Sequence, residues 1–176
     1  MPPAVGERPQ DRAPRPAPSV VFGRWEHVLA FGFGAGLSPK APGTAGTLVG
    51  VVLWLGLHPL PVAAYATVVV ALFACGVWIC GRSARLLGVH DAPGIVFDEI
   101  VGFLVAAAPL LPAVGLAHQR LWLAVAFLLF RVFDIWKPWP IGRLDAAVHG
   151  GFGIMVDDAV AALYAAALLA LLLALT

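Results

Sequence analysis

Apolar residues fill the chain from residue 44 onward in long, nearly unbroken stretches. Short polar or proline-containing connections separate five of them, at residues 44–57, 62–80, 95–111, 121–136 and 153–175. A helix that crosses a bilayer needs about 20 apolar residues, with a lower limit near 17. The second and fifth stretches meet that length, the third and fourth come close, and the first is short enough to be re-entrant. The pattern predicts an all-α, polytopic membrane helix bundle with about four to five membrane segments.

The residues before these stretches follow two other patterns. Residues 25–37 are apolar but rich in glycine, which favours an interfacial or re-entrant segment over a full span. Residues 1–24 mix proline with arginine and lack a long apolar run, so they predict a disordered tail and not a signal peptide. We therefore divide the chain into a tail, 1–24, and a membrane-embedded domain, 25–176.

Composition supports lipid as the solvent of this domain. The chain is 61% hydrophobic and 12% charged with a mean hydropathy of +0.91, whereas soluble domains carry about 25% charged residues. The net charge of +1 gives no indication of a nucleic-acid partner. Cys75 and Cys80 lie in one apolar stretch without a CxxC pair, so neither a disulfide framework nor a zinc site is indicated.

The positive residues of the connections are distributed unevenly. If all five stretches span, only Arg120 falls on one side of the membrane, and the other side holds Arg24, Lys40, Arg82, Arg85, Lys137, Arg143 and the arginines of the tail. Because positive loops remain in the cytoplasm, that second side is predicted to be cytoplasmic.

Five carboxylates share the predicted cytoplasmic ends of the stretches: Asp98, Glu99, Asp134, Asp157 and Asp158. Acidic residues inside apolar segments are costly and usually functional. Close carboxylates repel one another unless a cation intervenes, and oxygen ligands favour a hard ion such as Mg²⁺. These five residues are the candidate metal ligands and catalytic acids. The alternative is structural ion pairing with Arg131, Lys137 and Arg143.

Two polar segments flank these acids. The glycine-rich segment GFGAGLSPKAPGTAGT, at 32–47, could cradle an anion, with Ser38, Lys40, Thr44 and Thr47 as candidate substrate ligands. It lacks the order of a Walker A loop. The connection between the fourth and fifth stretches adds Lys137 and Arg143 as candidate phosphate ligands. His149 is a candidate acid or base, and His90 a weaker one.

Three blocks of this sequence resemble the phosphatidylglycerophosphatase A family: GFGAGLSPKAPGTAGT, VHDAPGIVFDEIVG and FRVFDIWKPWPIGRLDAAVHGGFGIMVDDAVA. The order and spacing of the blocks agree with the family as well as their letters, while Thr47, Phe97 and Ala162 depart from its usual residues. The resemblance implies a Mg²⁺-dependent enzyme of the inner membrane, and the distribution of positive residues predicts that its active site faces the cytoplasm. Its substrate would be the phospholipid phosphatidylglycerophosphate, which loses its terminal phosphate to give phosphatidylglycerol. The resemblance also carries over the five acids, Lys137 and His149.

Two alternatives stay open at this point. One is a phosphatase of another lipid or prenyl phosphate, because a metal site does not identify the headgroup. The other is an ion-coupled transporter that uses intramembrane acids, although transporters place such acids near the midplane between repeated halves and no internal repeat is present here. The sequence leaves open the nucleophile, an Asp or a metal-activated water, and the oligomeric state.

Overall fold

The computed structural model describes residues 15–89, 92–112 and 118–176, which are helical and contain no β-strand. Within these ranges, eight α-helices follow one another: α1 Pro18–Phe22, α2 Trp25–Ala30, α3 Pro42–Leu57, α4 Val62–Leu87, α5 Phe97–Ala106, α6 Gln119–Trp136, α7 Ile141–Ala147 and α8 Gly150–Ala174. Two 3-10 segments, Gly32–Leu37 and Ala108–Leu110, follow α2 and α5. The predicted all-α class is confirmed.

Helix α5 lies at the centre and packs against α3, α4, α6 and α8. Its side chains Phe103 and Leu104 are fully buried. Ten residues of α-helix extend about 15 Å, roughly half of a bilayer's hydrocarbon core. The prediction of one apolar segment over 95–111 was therefore too long. The helix begins only at Phe97, after the tight turn of Pro93–Ile95, and it gives way near Pro109 to the 3-10 segment.

Helix α3 approaches α5 closely because its facing residues are glycines. A Cβ atom on Gly46 would lie 2.6 Å from the Val96 Cβ, and one on Gly50 would lie 3.0 Å from the Phe103 Cβ. Small residues four apart allow this kind of close helix contact within membranes. The contact fixes the beginning of α3 beside the beginning of α5.

Two helices, α4 and α8, are long and apolar enough to cross a bilayer. Helix α3, with 16 residues, is apolar but shorter, and α6 contains Arg120, Arg131 and Asp134 within its 18 residues. Large apolar side chains such as Val52, Val70 and Ile135 are about 70% exposed, which fits a surface in contact with lipid. Membrane association is supported, and the number of four to five spans stays a prediction.

Helix α4 continues seven residues beyond the predicted end at Cys80. It ends at Leu87, where Gly88 adopts a left-handed φ of 70° and Arg85 occupies the last turn. A glycine after the last turn and a basic residue within it are ordinary helix-stop signals. The polar residues after Cys80 therefore extend the helix out of its apolar part and do not begin a loop.

The glycine-rich segment upstream is too short in each helical piece to span. Helix α2 has six residues, and the 3-10 segment after it is kinked at Phe33 and Gly34, which both have positive φ. Three contacts attach α2 to α4: the Trp25 ring stacks on Trp78 at 5.6 Å, Glu26 lies 3.7 Å from Arg82, and the His27 Nδ1 lies 2.8 Å from the Ser83 Oγ.

The predicted disordered tail, 1–24, differs at its end. Residues 1–14 lie outside the described residues. Pro18–Phe22 form the helix α1, with Pro18 in its first turn and Val21 fully buried against the rest of the fold. The apolar run Val20, Val21 and Phe22 allows this short stretch to bury Val21, a signal that the proline and arginine content of the tail obscured.

Candidate active site

The five predicted acids lie at one end of the bundle. Asp98 and Glu99 occupy the first turn of α5, Asp134 lies near the end of α6, and Asp157 and Asp158 lie in the first half of α8. Because α5 packs against both α6 and α8, the three helices bring these acids to a common space. Gly102 permits this packing, since a Cβ there would lie 2.7 Å from the Phe130 ring and 3.4 Å from the Asp158 carbonyl oxygen.

Three of the carboxylates form a compact cluster. One oxygen from each of Asp98, Glu99 and Asp158 lies within 4.8 Å of the others. All five acids line a cavity of about 250 Å³, together with Lys137, the first-turn residues Pro42 and Gly43 of α3, residues 92–96, Val148, Gly153 and Ile154.

Two cations reach these acids across the fold. The Lys137 Nζ lies 2.6 Å from the Asp157 Oδ2, although the two residues are 20 positions apart. Arg131 pairs with Asp134 at 2.5 Å, and its Nη1 lies 4.0 Å from the Glu99 Oε1. Lys137 adopts a left-handed φ of 44° where α6 ends, a conformation that few residues other than glycine adopt and that clusters at functional sites.

The carboxylate cluster fits a divalent cation. Five carboxylates face two cations, and the buried oxygens Glu99 Oε2 and Asp158 Oδ2 have no hydrogen-bond partner among the described residues. A buried carboxylate oxygen without a partner is costly. Carboxylate oxygens converging on one point are the ligand set that Mg²⁺ and similar hard ions prefer. Ion pairing, the alternative weighed for these acids, accounts for Asp134 and Asp157 and leaves these two oxygens unsatisfied.

The sequence did not single out Gly43 as part of the site, and it indicated Arg131 only as an ion-pair partner of the acids. A Cβ on Gly43 would overlap the Glu99 Oε1 and would lie 3.1 Å from both terminal nitrogens of Arg131. Arg131 also donates to the Thr47 Oγ1 at 3.4 Å, and that hydroxyl donates to the Gly43 carbonyl oxygen at 2.8 Å. The sequence does contain one signal for a site role of Arg131, because a charged residue within an apolar stretch usually marks a functional position.

Six predicted site residues do not line the cavity, among them Thr47, which is fully buried and contacts Arg131. Ser38 and Thr44 are half-buried, and Lys40, Arg143 and His149 are exposed. The Ser38 carbonyl oxygen accepts from Arg15 at 3.0 Å, and the His149 Nδ1 lies 3.1 Å from the Ala147 carbonyl oxygen. Their roles toward a substrate stay predictions, and His90 lies outside the described residues.

The glycine-rich segment contributes to the cavity only through its end. Pro42 and Gly43, which begin α3, line the cavity. The N-terminus of a helix is a favourable position for a bound anion. Gly36 instead packs against the loop before α5, where its Cβ would overlap the Gly94 carbonyl oxygen. Much of the segment therefore positions the loop and the α3 terminus.

Comparison with known proteins places these residues in a family. The family model described as phosphatidylglycerophosphatase A matches residues 28–173. A phosphatidylglycerophosphatase A of Escherichia coli is 43% identical over 143 residues, covering 81% of this chain and 80% of that protein. One of Haemophilus influenzae is 46% identical over 144 residues, covering 79% and 83%.

A relative from Bacteroides thetaiotaomicron, provisionally named a phosphatidylinositol-3-phosphatase, is 36% identical over 148 residues and covers 81% of this chain and 90% of that protein. No solved structure matches the chain. The family match extends from α2 to the last turn of α8 and includes every residue of the acidic cavity. This chain belongs to the phosphatidylglycerophosphatase A family.

Proposed function

We propose that this protein is a Mg²⁺-dependent phosphatase that hydrolyses phosphatidylglycerophosphate to phosphatidylglycerol and inorganic phosphate in phospholipid synthesis. The observation that carries the proposal is the cluster of Asp98, Glu99 and Asp158, whose oxygens lie within 4.8 Å of one another in a chain of this family. Two relatives named phosphatidylglycerophosphatase A, each more than 40% identical, support the substrate.

The three clustered carboxylates would hold the metal. Bound there, Mg²⁺ would neutralise the phosphate oxygens and polarise the phosphorus centre. Lys137, whose Nζ lies in the same cavity, can donate to a further phosphate oxygen. Asp157 and Asp134 are each oriented by a cation, so their carboxylates can accept a proton from an attacking water.

The position of the acids at one end of the bundle supports a lipid phosphate as the group that binds there. Helices α3, α5 and α8 begin at this end of the bundle and α6 ends there, so one end of the bundle holds all five acids. The same end carries most of the basic residues of the connections. By the positive-inside rule, we place the site on the cytoplasmic face of the inner membrane in a multi-pass protein.

The direct test is phosphate release by the purified protein in detergent. Phosphatidylglycerophosphate should be hydrolysed with added Mg²⁺ and not with EDTA, and Asp158→Asn should lose at least about 100-fold in kcat, because several kcal/mol of charge stabilisation depend on the metal. Full activity in Asp158→Asn would remove that residue from the site. Full activity in EDTA would remove the metal from the proposal.

A second candidate substrate is a phosphorylated phosphatidylinositol, favoured by the provisional name of the Bacteroides relative. Including phosphatidylinositol 3-phosphate, phosphatidic acid and a prenyl pyrophosphate in the same assay separates these substrates by kcat/KM. If no phosphate were released from any of them, the transporter alternative would gain support over every phosphatase.

A further inference from the structure

An apolar groove of about 410 Å³ runs between α3 and α6. Helix α3 supplies Leu48 and Val51, and α6 supplies Leu123, Ala124, Phe127 and Leu128, with Arg120 lining the end remote from the acids. Leu48 and Leu128 are more than half exposed at its rims, so the groove opens toward the lipid that surrounds the bundle.

The groove continues the side of α6 that carries the acidic site. Residues three and four positions apart share one side of a helix, so Ala124, Phe127, Arg131 and Asp134 form one stripe. Along the helix axis, at about 1.5 Å per residue, Arg120 lies about 17 Å from Arg131 at the far end, and the apolar groove residues of α6 lie roughly 5 to 12 Å from Arg131. That depth belongs to a single leaflet, which is about 15 Å thick in its hydrocarbon part.

Along helix α3, as along α6, residues of the acidic cavity are followed by residues of the apolar groove. Gly43 lines the acidic cavity, Thr47 contacts Arg131, and Leu48 and Val51 line the groove within the next two turns. Polar cavity and apolar groove thus follow each other along one seam between the two helices, with Arg131 at their junction. A phospholipid has the same arrangement, with a charged phosphate group at one end and hydrocarbon chains beyond it.

We propose that the α3–α6 groove binds an acyl chain of the lipid substrate, so that the substrate reaches the acidic cavity laterally from the bilayer. The inference rests on the proposed function and adds where the hydrocarbon of the substrate binds. Because lipid tails are as apolar as the groove, shape and dispersion contacts hold the chain there, and their effect is to position the phosphate.

A second apolar groove, between α3 and α4, is larger and also reaches Phe97 and Ile100 of α5. It is lined by Val52, Gly56 and Cys75 among others. The close packing of Gly46 and Gly50 on α5 lies between this groove and the acidic cavity. An acyl chain bound there would not extend along the stripe that carries Arg131 and Asp134.

Filling each groove separately tests the inference. Ala124→Phe places a ring in the α3–α6 groove, Gly56→Leu fills the α3–α4 groove at a position with no neighbour within 4 Å, and Ala71→Phe adds the same bulk on the exposed surface of α4. Each variant would be assayed with a long-chain and a dihexanoyl phosphatidylglycerophosphate.

We expect Ala124→Phe to lose about tenfold in kcat/KM for the long-chain lipid, since displacement of a bound substrate by about 1 Å has large effects on rate. It should hydrolyse the dihexanoyl lipid normally, and the other two variants should match the wild type on both lipids. Equal rates for all three variants, or a loss confined to Gly56→Leu, would overturn the inference. In either case wild-type hydrolysis of the long-chain lipid would leave the proposed function intact.

Thiol labelling gives a readout that does not depend on turnover. In a Cys75→Ser background, Ala124→Cys and Ala71→Cys would be labelled in detergent with EDTA by a membrane-soluble maleimide. The long-chain lipid should slow labelling at position 124 several-fold and leave position 71 unchanged, while the dihexanoyl lipid should protect neither. Equal protection at both positions would contradict a bound acyl chain, even if Ala124→Phe had failed to fold.

Discussion

At the scale of single residues, Gly43 sets how closely α3 approaches the acids. We predict that Gly43→Ala lowers phosphatase activity at least tenfold and raises the Mg²⁺ concentration for half-maximal activity, because its Cβ would overlap the Glu99 Oε1 and displace that carboxylate. Activity measured against Mg²⁺ concentration checks this.

Gly56→Ala is the matched control on the same helix. A Cβ at Gly56 has no neighbour within 4 Å, so this substitution should keep full activity and stabilise the protein by about 0.5–1 kcal/mol through reduced backbone freedom. If both variants behaved alike, the steric role of Gly43 would be wrong.

Arg131 is the cation that holds two of the acids. Replacing it by Met removes that partner from the partly buried Asp134 and Glu99, and the cost of about 3–5 kcal/mol for breaking a fully buried ion pair is the upper limit here. We expect a lower midpoint of thermal unfolding in detergent for Arg131→Met.

The double variant Arg131→Met/Asp134→Asn should recover part of that loss, because it also removes the charge that Arg131 neutralised. An unchanged midpoint in the single variant would show that the pair is not a stabilising unit. The same conclusion would follow if the double variant lost more stability than the two single variants lose together.

The residues of the site were predictable in part. Asp98, Glu99, Asp134, Asp157 and Asp158 could be grouped from their positions at the ends of apolar stretches. Arg131 and Lys137 could also be named as possible ion-pair partners, but the pairs Lys137–Asp157 and Arg131–Glu99 could not be predicted, because they depend on how α5, α6 and α8 pack. Glycine-rich sequence likewise does not reveal which glycine faces a carboxylate and which faces a backbone carbonyl.

At the scale of the elements, the lengths of the apolar stretches predicted the presence of the helices better than the residues at which they begin and end. The second stretch was placed correctly at Val62, but its polar extension to Leu87 follows from the stop signals of Arg85 and Gly88. The third stretch was predicted as a borderline span, whereas α5 is a short buried helix. Hydropathy does not distinguish a segment buried by neighbouring helices from one that faces lipid.

The contact between α2 and α4 predicts a pH dependence. Burial lowers the pKa of His27, with nearby Arg24 acting in the same direction and Glu26 opposing it. The folded pKa then lies below the unfolded value of about 6.5, so the unfolded chain binds the proton first. The stability contributed by neutral His27 is present above pH 6.5 and is lost as the pH falls through the folded pKa.

Thermal unfolding of wild type and His27→Gln at pH 7.5 and 5.5 measures this term. We expect the wild type to lose more stability on acidification, with the difference between the two proteins assigned to His27 because the site acids titrate in both. Parallel curves would mean that the docking of α2 does not depend on the neutral imidazole.

At the scale of the whole molecule, the distribution of polar groups defines an axis. The acidic cavity and most of the basic connections lie at one end, the sides expose apolar residues, and the turn between α3 and α4 lies at the other end. We predict that this axis stands across the bilayer, because lipid can cover the apolar side chains that the sides expose.

Single-cysteine labelling tests that axis. In a Cys75→Ser background, in which Cys80 remains buried, Pro59→Cys lies in the α3–α4 turn and Arg85→Cys lies in the last turn of α4. Helix α4 has 26 residues and is about 39 Å long, which exceeds the hydrocarbon core. A membrane-impermeant maleimide added to right-side-out vesicles should therefore label only Pro59→Cys, and permeabilised vesicles should label both. Labelling of both cysteines before permeabilisation would contradict a spanning α4, whereas labelling of Arg85→Cys alone would keep the span and reverse the orientation, placing the acidic cavity on the outer face.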